Sequence, residues 1–386
     1  MALASTTSRR LAWGLLWVSL AVHLPIAVAA VGQTKRMGPD SDFTNYYNIG
    51  TRSGRPYVDF PVEFPVTTAQ TFRAVARIAG DRDRFGLVLV MISTVADVAI
   101  VGALGWGWGI EAAACYALIA IPLLDLVLLR FDLWPTALAT IAVAAWRRER
   151  PALAAIGLVA GGAFKLWPLM FFPLLLVSSS ASSARRRIST LGAAIAAGLA
   201  LLTEWLWVAG PSGLYQVLTF RGARGWEIES TVGAAWLLID QTSMRVESGA
   251  WRIGTIVGPT ALALFALGAV PCLWMIWRGA RTGHLGAGWA GGISVLLLMS
   301  ALLSAQFAIW LAPASGIAWV EKDRRTAVLI GVVVFFTNLV FKSFNPLTHG
   351  SPKAIATVLA RNLLLAVLAV VAARLLARAP VSRERS

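Results

Sequence analysis

Four carboxylates fall in one polar stretch near the start of the chain: Asp40, Asp42, Asp59 and Glu63, within PDSDFTNYYNIGTRSGRPYVDFPVEFP (39–65). The whole sequence has only 19 acidic residues, so four in 27 positions is a concentration. A carboxylate in such a loop can take the proton of an attacking hydroxyl. If the displaced group leaves as an anion, no second acid is needed to protonate it. Cations or helix N-termini then steady its growing charge. The chemistry asks for one acid and for basic residues near it.

The bland readings of the same residues stand beside this one. Ser, Asp and Asn cluster around Asp42, which suits a helix N-cap or a turn. Asp40-Ser41-Asp42 also spells an Asp-x-Asp metal motif, but a three-residue match arises easily by chance. Tyr46, Tyr47 and Tyr57 could stack on a ring-shaped ligand or anchor at a membrane interface. Gly54, Pro56 and Pro65 read as turn formers.

Composition sets the surroundings. The 386 residues are 58% apolar and 14% charged, with mean hydropathy +0.70, which describes a polytopic all-α membrane protein. The net charge of +15 falls in short clusters between apolar runs, the pattern of topology signals rather than of a nucleic-acid surface. Anionic lipid headgroups are its natural partners. Cys115 and Cys272 both sit in apolar segments, which argues against a disulfide framework or a thiolate metal site. His23, His284 and His349 show no helical metal-ligand spacing, so neither a metal nor another cofactor is expected.

The elements that must position the loop follow from hydropathy. Arg9 and Arg10 precede an apolar run over about 11–31. Its Ala-Val-Ala-Ala end can be read as a signal-peptide cleavage site, but the length favours a retained first helix with a cytoplasmic N-terminus. Residues 32–84 then form a first extracytoplasmic loop, in which 66–84 alternates apolar residues with Arg73, Arg77 and Arg82, as an amphipathic helix on the outer membrane surface would. Further runs near 85–104, 110–129, 132–146, 152–164, 166–178 and 188–208 lead to a second polar loop at 209–250. Five more, near 251–277, 285–303, 307–320, 326–341 and 354–377, precede a cytoplasmic tail at 378–386. The sum is a single transmembrane domain, 1–386, of about twelve spans with both termini inside. Cations such as Lys35, Arg52, Lys165, Arg221, Arg224 and Lys353 fall on the inferred outer face, where the positive-inside rule does not place them. A phosphate-bearing ligand explains them; snorkelling to lipid phosphates explains them too.

Several segments together resemble a known family. Asp42-Phe-Thr-Asn-Tyr-Tyr, Gly54-Arg-Pro-Tyr57 and Asp59-Phe-Pro-Val-Glu63-Phe-Pro65 resemble the first outer loop of glycosyltransferase family 87. The likeness continues in order at Lys165-Leu-Trp-Pro168, Arg224-Gly-Trp-Glu-Ile-Glu-Ser230 and Ser304-Ala-Gln-Phe-Ala-Ile-Trp310-Leu-Ala-Pro313. Those are enzymes of GT-C fold, among them polyprenol-phosphate-mannose-dependent α-mannosyltransferases of mycobacteria. The resemblance implies a metal-independent, inverting hexosyltransferase of the plasma membrane with its active site outside. Its donor would be a polyprenyl-phosphate sugar, mannose first among the sugars, and its acceptor a cell-envelope lipid or glycan. Asp42 matches the catalytic aspartate and would be the general base. Tyr46, Tyr57, Asp59, Glu63 and Glu229 are the expected substrate contacts. Lys165, Arg224 and His349 are expected at the phosphate, with Glu227 or Glu229 holding Arg224. Where relatives commonly have Glu-Tyr-Pro-Pro, this chain has Glu63-Phe-Pro-Val66, a departure that bears on the acceptor.

Two rival functions use other residues. A transporter or flippase of a polyprenyl-linked sugar would depend on Asp97 or Asp125, acids inside apolar runs that need partners there. A non-catalytic scaffold of an envelope complex would tolerate alanine at every acid.

Overall fold

The computed structural model describes residues 6–39, 41–177, 184–219, 223–256 and 258–380. The first half is built from α1 (Thr6–Thr34), α2 (Asp42–Thr51), α3 (Val66–Ala79), α4 (Arg82–Trp108), α5 (Ile110–Ala120) and α6 (Leu124–Val127). There follow α7 (Leu133–Arg147), α8 (Pro151–Phe164), α9 (Pro173–Leu176), α10 (Ala184–Val208), α11 (Gly210–Leu218) and α12 (Thr231–Trp236). The last third holds α13 (Gly258–Thr282), α14 (Leu285–Leu298), α15 (Ala312–Val320), α16 (Arg324–Lys342), α17 (Phe344–Thr348) and α18 (Pro352–Arg378).

Every apolar run expected from sequence contains helix, although the run near 251–277 opens on strand and the run near 285–303 leaves helix after Leu298. The expected twelve spans do not follow. Among the described residues, six helices are long and apolar enough to cross a membrane: Arg9–Thr34, Arg82–Trp108, Ile110–Val127, Gly258–Thr282, Arg324–Lys342 and Pro352–Arg378. A seventh is the pair Gly192–Val208 and Gly210–Leu218, bent by 105°. Six such helices make this a multi-pass membrane protein. Three of the other runs are shortened by proline, which opens α8 and α9 and stands in the first turn of α15. A 14-residue helix such as α8 reaches only about 21 Å, against about 30 Å of hydrocarbon.

The chain is mainly α-helical, as expected, with one small exception. The second polar loop folds a small antiparallel sheet in the order β1-β3-β2, from β1 (Trp226–Glu227), β2 (Arg245–Glu247) and β3 (Ala250–Ile253). Ser248 and Gly249 turn the β2–β3 hairpin with φ of 54° and 77°, the left-handed pair that two-residue hairpins require.

Hydrogen bonds sort the helix ends into two layers. At one end Arg148 Nε donates to Trp106 O (2.6 Å), Gly286 N to Glu321 Oε2 (2.9 Å) and Arg278 Nη2 to Ala379 O (2.9 Å). The first and second polar loops meet at the other end.

The first loop is helical rather than irregular. α2 packs on α3 so closely that a Cβ at Gly50 would lie 2.8 Å from Phe72 O. α3 is amphipathic as expected, but Val66, Ala69, Phe72, Val75 and Ala76 are buried in protein and not laid on lipid. Arg73 points outward and donates to Gly54 O (2.9 Å). The bent α10–α11 pair braces the loop from its far side. Gln216 Nε2 donates to Tyr57 O (2.9 Å), Val62 N donates to Gln216 Oε1 (3.0 Å) and Thr67 Oγ1 to Glu204 Oε2 (2.7 Å).

The acids of the rival transporter reading are both engaged. Asp97 joins α1, α4 and α5: Tyr116 donates to its Oδ1 (2.7 Å), and His23 Nδ1 lies 2.7 Å from its Oδ2. His23 Nε2 faces Ala117 O at 2.8 Å, so Nε2 carries a hydrogen and the ring is locked between helices. Asp125 pairs with Lys342.

Candidate active site

Ser41 is the N-cap of α2, its hydroxyl accepting from Thr44 N at 3.2 Å. Capping therefore falls to Ser41, and Asp42, the first helical residue, is left for another task. Its Oδ2 lies 2.9 Å from Arg130 Nη1, and the Asp42 side chain keeps 35% of its surface open while that of Arg130 keeps 14%. Arg130 sits in the turn after α6, where Ser93 Oγ donates to its carbonyl (3.2 Å) and Trp134 Nε1 donates in turn to Ser93 Oγ (3.1 Å). The result is an oriented carboxylate at the N-terminus of a helix, with a guanidinium beside it.

Tyr46, one turn further along α2, is 2% exposed. Its ring stacks on Phe72 at 4.6 Å and meets Phe64 and Phe131 edge-on. Burial, helped by the Asp42 charge, pushes its phenol well above the ordinary range. It is the aromatic floor under Asp42, not the open substrate contact expected. Glu63 is buried and accepts from Asn45 Nδ2 at 2.9 Å, which ties the end of the loop to α2. Tyr57 differs from expectation as well. It is buried with φ 70°, and its hydroxyl donates to Phe64 O at 2.6 Å. Burial, reinforced by Glu63, pushes its phenol upward. Asp59 is exposed and accepts from Arg55 N at 2.6 Å. Both act as clasps of the 55–60 turn. Asp40 lies outside the described residues. Among those described, no group of three or more His, Cys, Asp or Glu is placed to hold a metal ion.

The second centre of charge lies at the end of α8. Lys165 leaves the helix in extended conformation and donates to Asp132 Oδ1 at 2.6 Å, where Trp310 Nε1 also donates at 3.0 Å. Asp132 keeps 1% of its side-chain surface. The ammonium lies 4.1 Å from the Phe307 ring centroid and 4.9 Å from that of Trp310, close enough for cation–π attraction. Trp310 is itself stacked between Phe307 and Trp167, so the cage is rigid. Thr68 Oγ1 donates to Phe164 O at 2.7 Å and fixes this helix end against α3.

The second polar loop adds two buried acids. Glu227 N donates to Ala301 O (3.0 Å), and Glu227 Oε1 accepts from Ser304 Oγ at 2.5 Å. Glu229 Oε2 accepts from Ala305 N (3.0 Å), while its carbonyl accepts from Arg361 Nη2 (2.8 Å) and Asn362 Nδ2 (3.2 Å). The turn between strand and α12 is tight: a Cβ at Gly233 would lie 2.0 Å from Glu227 O. Asp132, Asp42 and Glu227 all act on the Lys165 ammonium. The four segments that carry the family resemblance, around Asp42, Lys165, Glu227 and Ser304, therefore meet at one end of the bundle.

Burial pushes the Glu229 carboxyl up to about 8, and the Glu227 charge pushes the same way. Burial raises Glu227 too, with Ser304 and the Arg252 charge working against it; at about 8 the Glu229 carboxyl is mostly protonated at neutral pH. Because the shift is upward, the stability it contributes is complete below the ordinary carboxylate range and is lost as pH rises from about 5 through 8. Burial likewise takes Glu321, at the opposite end, up to about 8. Melting temperature is therefore expected to fall over this window. Glu229→Gln should remove its share of the slope and leave that of Glu321. A slope unchanged in Glu229→Gln would show that Glu229 is ionised in the fold.

Two expected phosphate ligands lie elsewhere. Arg224 is exposed and is not held by Glu227 or Glu229: its N–H donates to Glu247 Oε1 at 2.7 Å, and Glu247 also pairs with Arg245. With Trp226, Thr255, Ile256 and Thr260 it lines an open groove of about 420 Å³ at the start of α13. Glu227 is three positions after Arg224, at most about 10 Å of chain, so the groove adjoins the charged cluster. His349, after α17, is exposed, and its Nδ1 donates to Asn345 O at 2.8 Å. Among the described residues it makes no contact with the cluster.

Sequence reasoning passed over Arg130, Asp132 and Arg361, and named Ser304 only as the start of a motif. Arg361 offered a signal, a charge inside the apolar run of α18. Arg130 and Asp132 offered less, since they stand at the break between two runs, where charges are ordinary.

No protein-family model matches the chain, and no curated protein matches it. Among solved structures it is similar to the crystal structure of the Archaeoglobus fulgidus oligosaccharyltransferase in the apo form, with TM-score 0.40 and 14% identity. The alignment covers 99% of this chain and 57% of that one, so the chain spans little more than half the length of that enzyme. At this TM-score and identity the likeness carries no argument about fold or activity.

Proposed function

We propose that the chain is a GT-C-type membrane glycosyltransferase that moves a sugar, mannose by the family resemblance, from a polyprenyl phosphate to a cell-envelope lipid or glycan. The observation that carries this reading is the meeting of the partly open Asp42–Arg130 pair with Lys165–Asp132 and Glu227 at one end of a membrane bundle. The clusters Arg147, Arg148, Arg150 and Arg324, Arg325 belong to the opposite end, which supports a cytoplasmic placement of that end and an outer placement of the site.

Asp42 takes the proton of the acceptor hydroxyl as its oxygen bonds to the anomeric carbon. The bond from that carbon to the phosphate oxygen breaks, and its electron pair leaves with the phosphate. Attack from the face opposite the phosphate inverts the anomeric centre, so a β-linked donor gives an α-linked product. This route uses one carboxylate, unlike glycoside hydrolysis with its pair, and invokes no metal or other cofactor. Arg130 orients the base. Arg224, at the mouth of the groove with Trp226 and Ile256 as apolar walls, suits the lipid phosphate and the first isoprene units. Lys165 is neutralised by Asp132 and is better placed to shape the site's field than to bind phosphate.

The test is transfer by purified protein in nanodiscs, from radiolabelled polyprenyl-phosphate-mannose to an envelope lipid extract. Label in a new acceptor-linked product is the expected result. Label that crosses the bilayer still attached to polyprenyl phosphate, with no product, would favour a flippase instead.

A further inference from the structure

We propose that the buried carboxylates of Asp132 and Glu227 form the subsite that reads the hydroxyls of the transferred sugar ring. The proposal rests on the glycosyltransferase reading above and names the part of that site that recognises the sugar.

Each carboxylate is half used. Asp132 Oδ1 takes two donors, Lys165 Nζ and Trp310 Nε1, and the Glu227 carboxylate takes Ser304 Oγ on Oε1 and the Leu303 N–H. Asp132 Oδ2 and Glu227 Oε2 are buried and have no hydrogen-bond partner among the described residues. Asp132 is 1% exposed and Glu227 6%. A buried acceptor without a donor is a destabilising feature that folds ordinarily avoid. Two on residues that both act on the Lys165 ammonium, on segments 95 positions apart, mark a position built for something that brings donors.

The same oxygens narrow what that ligand is. A phosphate diester brings only acceptors and would leave both of these carboxylate oxygens without a donor, so it does not suit them and is left to Arg224. A hydroxyl donates to a carboxylate and accepts at the same time. The acceptor side is provided for: Arg130 Nε is also buried and without a hydrogen-bond partner among the described residues. A neutral ring carrying several hydroxyls satisfies both demands, and Asp42 stands at the same centre to serve the acceptor. The stack of Phe307, Trp310 and Trp167 holds Asp132 through the indole N–H. The subsite is therefore preorganised, as a specificity element must be.

The experiment compares binding of polyprenyl-phosphate-mannose and of bare polyprenyl phosphate to the full chain in nanodiscs, for wild type, Asp132→Asn and Glu227→Gln. Wild type is expected to prefer the mannosylated lipid. Each near-isosteric variant should lose about tenfold or more of that preference, the effect of one hydrogen bond to a charged group, with affinity for the bare lipid unchanged as the control for folding. Variants that keep the preference overturn the subsite and leave the transfer reading standing. A wild type that binds both lipids equally overturns the subsite too, as do variants that lose the bare lipid along with the sugar. A wild type that binds neither lipid overturns the subsite and the transfer reading together.

Discussion

Asp42→Asn is expected to lower sugar transfer by about 10²–10⁴-fold, the usual share of a positioned general base, and to leave the fold intact. The helix that carries it does not depend on the acid, because Ser41 supplies the cap. An asparagine keeps the size of the side chain and places an oxygen or amide where Asp42 Oδ2 lies 2.9 Å from Arg130 Nη1, yet it cannot take a proton. Tyr46 and Phe72 beneath it are untouched. Initial rates with radiolabelled donor, together with melting temperature, check the prediction. A variant that transfers at the wild-type rate would move the base elsewhere. Glu63 would then be the first alternative, since Asn45 joins it to α2 (2.9 Å), whereas Asp59 closes its own turn on Arg55 N (2.6 Å).

Hydropathy made the helices legible in the sequence, because a segment destined for lipid must be apolar throughout and hydrogen-bonded within itself. It did not make the spans countable. Pro151, Pro168, Pro173 and Pro313 were visible, but whether a proline ends a short helix or only kinks a long one depends on the neighbours that complete its hydrogen bonds. The helix α2 was hidden for a related reason. Ten residues rich in Asn, Tyr and Gly have little tendency to form a helix alone, and burial of Phe43, Tyr46 and Ile49 against neighbouring elements makes this one. Asp42, Lys165 and Glu229 were legible because each breaks its surroundings in polarity. Their partners were not. Arg130 and Asp132 look like flanking charges until the turn after α6 folds them toward α2 and α8. Tyr57 was misleading in the opposite sense: an aromatic hydroxyl in a polar loop looks open, and a positive φ with one hydrogen bond to Phe64 O turns it inward.

Asp132→Ala should be the most destabilising single change at the site. It leaves Lys165 Nζ and Trp310 Nε1 without their common acceptor. Removing one partner of a buried ion pair typically costs about 3–5 kcal/mol, and the lower end applies here because Lys165 keeps 20% of its side-chain surface. The double variant Asp132→Leu/Lys165→Met removes both charges and fills the space with apolar groups of similar size. Buried pairs replaced in this way often lose little stability, so the double variant should melt well above the single. It should still fall short of wild type, because the Trp310 N–H remains without an acceptor. Recovery of stability must not bring recovery of activity. If the pair serves the field and the sugar contacts of the site, the repaired protein transfers no more sugar than the broken one. A double variant that folds and transfers like wild type would reduce Asp132 and Lys165 to packing. An Asp132→Ala protein that melts like wild type would show that water reaches the ammonium freely, and that the aromatic cage of Phe131, Phe307 and Trp310 does not seal it.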